Sequence, residues 1–175
     1  MLYIVSTPIG NLKDISLRAL DTLKECALIL CEDTRHTQKL LNHYQIKAKT
    51  KSYHKFNEAE VESECISLLK NGTNIALVSD AGTPCISDPG QRLVKKCQEE
   101  NILVSSTPGP CALITALSLF GFSSIPFQFL GFLPKKNDAL KTLLIPTLFY
   151  QGTSLAYESP KRLVNTLTLF ESLSP

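Results

Sequence analysis

The sequence predicts an α/β protein built on a parallel sheet, and three observations lead there. Short apolar, β-branched runs alternate with segments of helical period, each joined to the next by a cluster of Gly, Pro, Asp or Ser. Ile75 to Ser79 is an unbroken apolar run ending in a polar residue, as expected of a central strand buried on both faces. Loops that place Gly beside Pro follow several of the predicted strands, at the edge where open parallel sheets bind ligands.

Leu2 to Val5 reads as the first strand. A loop from Ser6 to Asp14 leads to a helix presenting Leu17, Leu20 and Leu23 at a spacing of three. Leu28 to Cys31 is the second strand, after which Glu32-Asp33-Thr34 opens a helix carrying Leu40 and Leu41. A basic strand follows near Lys49 to Tyr53. Asn57 is placed to cap the next helix, whose Glu58, Glu60 and Glu62 suit the positive end of the dipole and which Asn71-Gly72 stops. Beyond the central strand and the loop Asp80 to Asp88 lies a helix through Leu93, Val94 and Cys97, then a strand from Ile102 to Ser105. Asp88, followed by Pro89, reads as that helix's N-cap.

Thr107-Pro108-Gly109-Pro110 breaks the alternation and leads into a helix from Cys111 to Phe120, which divides the chain into lobes of residues 1–107 and 108–175. The second lobe has fewer units: strands near Phe127 to Phe129 and Leu155 to Tyr157, and helices near Ala139 to Leu144 and Arg162 to Leu173. A lobe so small is marginal by itself and its strand edges are open to pairing, so a dimer or aggregation is expected.

Composition excludes some function classes. With 43% apolar residues among 175, the chain can bury a real core. Its longest apolar-rich stretch, Cys111 to Phe122, is too short to span a bilayer and is interrupted by Thr115, Ser118 and Gly121. No secretory signal is read at the N-terminus, so a cytoplasmic protein is expected. The six cysteines form no C-x-x-C pair and read as reduced, mostly buried thiols; the three histidines give no ligand pattern, so no metal is expected.

The net charge of +2 is unevenly placed. Between Thr34 and Asn57 there is no acidic residue, while Arg35, Lys39, Lys47, Lys49, Lys51 and Lys55 all fall there, leaving the remainder net acidic. Lys47, Lys49 and Lys51 alternate, so on a strand they line one face, with Tyr53 two further on. Two readings fit: an edge strand kept soluble by lysines, or a phosphate-tracking surface with Tyr53 or Phe56 available to stack on a base.

Three loops carry the candidate site. They are Ser6 to Leu12 with Pro8 and Gly10, Ser79 to Pro84 with Asp80, Gly82 and Thr83, and Thr107 to Ala112 with Gly109 and Cys111. Glycine permits close backbone approach and proline stiffens the turn, which suits wrapping a cofactor with main-chain groups. No G-x-G-x-x-G or P-loop pattern is present. Asp80, at a strand end before a tight turn, is positioned to face a ligand.

The strings LYIVSTPIGNLKDIS, CEDTRHTQKLL, ALVSDAGTPCISDPG, STPGPCALITALSLFGF, GFLP and YESPKRL, in this order, closely resemble the ribosomal RNA small-subunit methyltransferase I family from Leu2 to about Leu163. The resemblance implies a two-lobed tetrapyrrole-methylase fold with the second lobe shortened, and S-adenosylmethionine as methyl donor. It further implies a cytidine ribose 2′-hydroxyl of small-subunit (16S) ribosomal RNA as acceptor, and a homodimer. By the same resemblance Pro8, Gly10, Asp80, Gly82, Thr83, Gly109, Cys111 and Ala112 line the cofactor. Where the family commonly has H-x-H-N-E, this chain has His54-Lys55-Phe56-Asn57-Glu58.

An acceptor for the hydroxyl proton is sought among Glu32, Asp33, His36 and Glu158, and the sequence does not choose between them. A helix cap at Asp33 or Thr34 is the structural alternative for that string. Two other functions remain open: a non-catalytic paralogue that binds RNA or the ribosome, and a tetrapyrrole methyltransferase, which leaves the charge segregation without a use.

Overall fold

The computed structural model describes residues 1–122 and 125–173. The chain forms two compact units, Met1–Ala112 and Leu113–Pro175.

The first unit is a five-stranded, fully parallel sheet sandwiched by helices. Its elements are β1 (Leu2–Val5), α1 (Leu17–Glu25), β2 (Leu28–Cys31), α2 (Thr34–His43), β3 (Lys49–Ser52), α3 (Glu58–Lys70), β4 (Ile75–Leu77), α4 (Gln91–Glu99) and β5 (Val104–Thr107). The strand order is β3-β2-β4-β1-β5, with β3 and β5 at the edges. The period-two alternation of strands divides the core in two. Leu2, Ile4, Leu30, Ile75 and Leu77 pack with Val61, Cys65 and Leu69 of α3 and Leu93 and Cys97 of α4. Val5, Ile29, Cys31, Ala76 and Val78 pack on the other face with Ala19 and Leu23 of α1 and Leu40 and Leu41 of α2. Four cysteines, Cys26, Cys31, Cys65 and Cys97, are buried free thiols. Burial pushes Cys26, Cys65 and Cys97 up to about 11, so they stay protonated at neutral pH and serve as small apolar side chains.

The central strand β4 ends at Leu77 rather than Ser79, and five further differences from the sequence-based expectation bear on the core or the site. Leu17 is 80% exposed at the first turn of α1, whose buried face is Ala19, Thr22 and Leu23. Asp88 does not cap α4. Gly90, at φ +127, occupies that position, and its main-chain N–H donates to the Glu58 carboxylate at 3.2 Å. The last strand of this sheet begins at Val104, two residues later than read, because Val104 is the residue registered against Leu2. Lys47 lies ahead of β3 rather than on it. Tyr53 is fully buried among α3 and α4, so it offers no stacking surface.

The buried Tyr53 also shows which way the lysine face points. Lys51 is registered against Leu30 and shares its side of the sheet, which α3 covers, and its ammonium pairs with Glu64 of that helix.

The second unit contains most of α5 (Ala112–Leu119), then β6 (Phe127–Phe132), α6 (Asn137–Thr147), β7 (Thr153–Tyr157) and α7 (Leu163–Leu173). The strands β6 and β7 pair in parallel, and Leu133, Leu140 and Leu144 form a small core with Leu143, Leu169 and Leu173 against it. A groove of about 720 Å³ runs across this unit, lined by Leu130, Ala156, Leu167 and Phe170 among others. Among the described residues, no helix is long and apolar enough to cross a membrane.

Candidate functional site

The carboxyl ends of β1, β2 and β4 converge in the first unit, and the loops leaving them are tied to one another. Thr7 and Gly82 exchange main-chain hydrogen bonds at 2.9 and 3.1 Å. The Thr7 hydroxyl donates to the Ser79 carbonyl at 3.0 Å, and that of Ser79 to the Gly82 carbonyl at 3.1 Å. The Ser6 and Thr83 hydroxyls lie 3.1 Å apart, and Thr83 reaches the Pro110 carbonyl of the third loop at 3.1 Å. Small hydroxyl side chains thus satisfy the main-chain groups that tight turns leave unpaired.

Two glycines make this clasp possible. Gly82 is buried at φ +85, and a Cβ there would stand 3.3 Å from the Ile9 side chain. At Gly109 an added Cβ would come within 2.9 Å of Ser6 Cβ, so the third loop approaches the first only because this residue has no side chain. Cys111 is half-buried and Ala112 is exposed, directly after this approach.

Beside the clasp is a cleft of about 230 Å³ lined by Thr7, Pro8, Leu12, His36, Thr37, Lys39, Leu40, Ser79 and Asp80. The Tyr44 hydroxyl donates to the Leu12 carbonyl at 2.6 Å, fixing the far end of the first loop, whereas Gly10 lies exposed within it. The Asp80 carboxylate accepts the main-chain N–H of Asp33 at 3.2 Å, joining the loop after β4 to the start of α2.

A group of carboxylates stands at these strand ends. Burial, reinforced by the negative charges of Asp88 and Asp80, raises the pKa of Glu32 above the ordinary glutamate value, while Lys55 and His54 act in the opposite direction. Burial also raises that of Asp88, with the negative charge of Asp80 in the same direction and the positive charge of Lys55 against it. Glu32 therefore combines half-burial with a heightened proton affinity.

The other candidates for proton transfer sit in different environments. Asp33 is the N-cap of α2: its carboxylate accepts the Arg35 N–H at 2.8 Å and pairs with the Arg35 guanidinium at 2.8 Å. These bonds hold it well below the usual carboxylate range, which makes it a weak proton acceptor. His36 is exposed on the cleft wall next to Lys39. Glu158 belongs to the second unit, where its carboxylate accepts the Thr166 hydroxyl at 2.7 Å and the Ser159 N–H at 2.7 Å, with Arg162 at 3.3 Å. The hydrogen bond from Thr166 leads in lowering its pKa, and the arrangement fastens the start of α7.

Of the basic residues, Arg35 is engaged by Asp33 and Lys51 by Glu64, while Lys39, Lys47, Lys49 and Lys55 are exposed. The sequence places Ser6, Thr7 and Ser79 within the candidate loops but assigns no role to their hydroxyls, nor to Asp88 or His54 at the site. The available signal was the density of Ser and Thr at the ends of β1 and β4. Among the described residues, no cluster of His, Cys, Asp and Glu is arranged to hold a metal ion.

A parallel sheet with hydroxyl-rich, glycine-dependent loops at its carboxyl edge defines a class that comparison with known proteins identifies. The family described as Tetrapyrrole (Corrin/Porphyrin) Methylases matches residues 1–173. A solved structure, the uroporphyrin III C-methyl transferase from Thermus thermophilus, superposes with a TM-score of 0.68 over 98% of this chain and 76% of its own, at 17% identity, which speaks for the fold alone.

Two proteins named ribosomal RNA small subunit methyltransferase I are much closer in sequence. The one from Vibrio cholerae serotype O1 is 50% identical over 167 residues, covering 95% of this chain and 58% of its own length. The one from Hydrogenobaculum sp. is 47% identical over 182 residues, covering 99% and 76%. The chain belongs to the ribosomal RNA small subunit methyltransferase I family, within the tetrapyrrole methylases, and it spans about three-fifths of the length of the Vibrio relative.

Proposed function

We propose that this chain takes part in S-adenosylmethionine-dependent methylation of small-subunit ribosomal RNA, at the 2′-hydroxyl of a cytidine ribose. The observation that carries the reading is the half-buried Glu32, raised in proton affinity, at the same strand ends as the clasped loops and adjoining the lysine-rich segment from Thr34 to Asn57, which has no acidic residue.

The loops suit the proposed donor. Asp80 offers a carboxylate to hydroxyl or ammonium groups, and the Gly82 and Gly109 turns keep the backbone open where a Cβ would intrude. Pro8, Gly10, Thr83, Cys111 and Ala112 would complete the binding set. When bound, the cofactor supplies a methyl group on a sulfonium, a leaving group that departs as a neutral thioether.

The chain's own residues then have two tasks. Positioning the ribose hydroxyl in line contributes on the order of 7–11 kcal/mol in favourable cases. Accepting its proton contributes roughly 10²- to 10⁴-fold, and Glu32 is the acceptor we assign, since a carboxylate of raised pKa is the better base. His36 and Lys39, which line the cleft, are the residues we assign to meet the nucleotide.

The test is calorimetry of S-adenosylmethionine binding together with transfer of labelled methyl to small-subunit RNA. Asp80→Ala is expected to weaken cofactor binding, and Glu32→Gln to leave binding intact while slowing transfer. Cofactor binding by the unaltered chain with no transfer to RNA would instead favour the non-catalytic reading. An unchanged affinity in Asp80→Ala would remove that loop from the cofactor site.

A further inference from the structure

We infer that the turn between β3 and α3 is a base-stacking element, in which Phe56 receives one unpaired nucleobase of the RNA. The inference rests on the RNA reading above and assigns a particular contact within it. Phe56 is 98% exposed, and among the described residues of the first unit it is the one aromatic ring in the set of exposed large hydrophobic side chains. A single exposed apolar residue is ordinary. Three features set this one apart.

First, the ring stands on a tethered turn. The His54 N–H donates to Asn57 Oδ1 at 2.8 Å, Asn57 Nδ2 donates to the Ser52 carbonyl at 2.9 Å, and the main-chain N–H groups of Asn57 and Glu58 both reach the His54 carbonyl. The His54 ring meets Phe56 edge-on at 5.9 Å between centroids. A ring held before its partner arrives loses less freedom on binding. Second, the turn leaves the strand end that is bonded to the Glu32 segment: the Ser52 hydroxyl donates to the Glu32 carbonyl at 3.2 Å and the Tyr53 N–H to the Cys31 carbonyl at 2.8 Å. A base seated on Phe56 would therefore lie on the turn that follows the neighbour of the Glu32 strand end. Third, the surroundings suit a polyanion, since Phe56 falls in the acid-free segment with exposed Lys47, Lys49 and Lys55.

The chain contains no tryptophan, so Phe56→Trp installs a sole indole at the site, which is excited selectively at wavelengths where the five tyrosines do not absorb. Titrating this variant with an unstructured oligocytidylate should quench its emission in step with binding followed by anisotropy of the labelled oligonucleotide. Phe56→Ala and Phe56→Leu should bind roughly five- to a hundredfold more weakly, with Phe56→Tyr near the unaltered chain. The salt dependence should stay the same throughout, because every phosphate keeps its lysine. Binding without quenching, or equal affinity in Phe56→Ala, overturns the stacking role and leaves the RNA reading standing. No oligonucleotide binding by the unaltered chain overturns both.

Discussion

At the residue scale, the carboxylates of the first unit divide by environment, and pH separates them. Glu32 and Asp88 bind protons more tightly in the fold than in the unfolded chain, so their favourable contribution is present in acid and is lost as pH rises through their raised pKa values. Glu32→Gln should therefore increase thermal stability at neutral pH, by roughly 1–4 °C in Tm. The gain should close below about pH 4, where both forms are neutral. A stability loss at pH 7 would show that the Glu32 charge is satisfied in the fold. Asp33 has the opposite sign: its lowered pKa contributes stability at neutral pH that disappears on acidification. Asp33→Asn should thus destabilise at pH 7 and become indistinguishable in strong acid. The same variants bear on function, since the residue whose charge costs stability is the one assigned to accept a proton.

At the element scale, most of the sheet was legible in the residues, because buried parallel strands are short unbroken apolar runs and their bounds follow from composition. The start of α4 was not legible. Asp88-Pro89 has the form of a cap, but Gly90 is fixed by tertiary contact: its missing Cβ would lie 2.4 Å from Leu77 Cδ2 and 2.8 Å from Cys85 Sγ. Gly90→Ala should consequently destabilise the chain by about 1–3 kcal/mol, read as a lower urea midpoint. A midpoint unchanged from the unaltered chain would mean that α4 shifts freely. The lysine strand teaches a related lesson. Alternation at Lys49, Lys51 and Tyr53 announced a shared face, but only the register against Leu30 reveals that α3 covers it. For the site, the glycine loops could be located from sequence. The pairing of Ser6 with Thr83 and of Asp80 with the start of α2 joins residues far apart in the chain, and no local pattern carries it.

At the scale of the whole molecule, the uneven charge should govern RNA affinity through counterion release. Replacing Lys47 and Lys49 by Gln should lower the slope of log affinity against log salt by about 0.7 for each phosphate of single-stranded RNA that is no longer neutralised. Lys51→Gln should change it less, because that ammonium already pairs with Glu64. Equal effects from all three would mean that the Lys51–Glu64 pair opens when RNA binds. The second unit contributes differently. It exposes Phe122, Phe132, Phe149, Val164 and Leu167 on a small core, an amount of apolar surface that favours association.

The strand order also sets a timetable for synthesis. Of the five strands of this sheet β1 is made before the others, yet its neighbours are β4 and β5, so Leu2 must wait for both Ile75 and Val104. Meanwhile β2 and β3, close in sequence, can pair early. Until Thr107 has emerged, the nascent chain holds an apolar strand with an unfilled edge, the kind of exposed segment that invites misassembly or a chaperone. Arresting translation at successive lengths should therefore show protease resistance appearing abruptly once β5 clears the exit tunnel, rather than growing strand by strand.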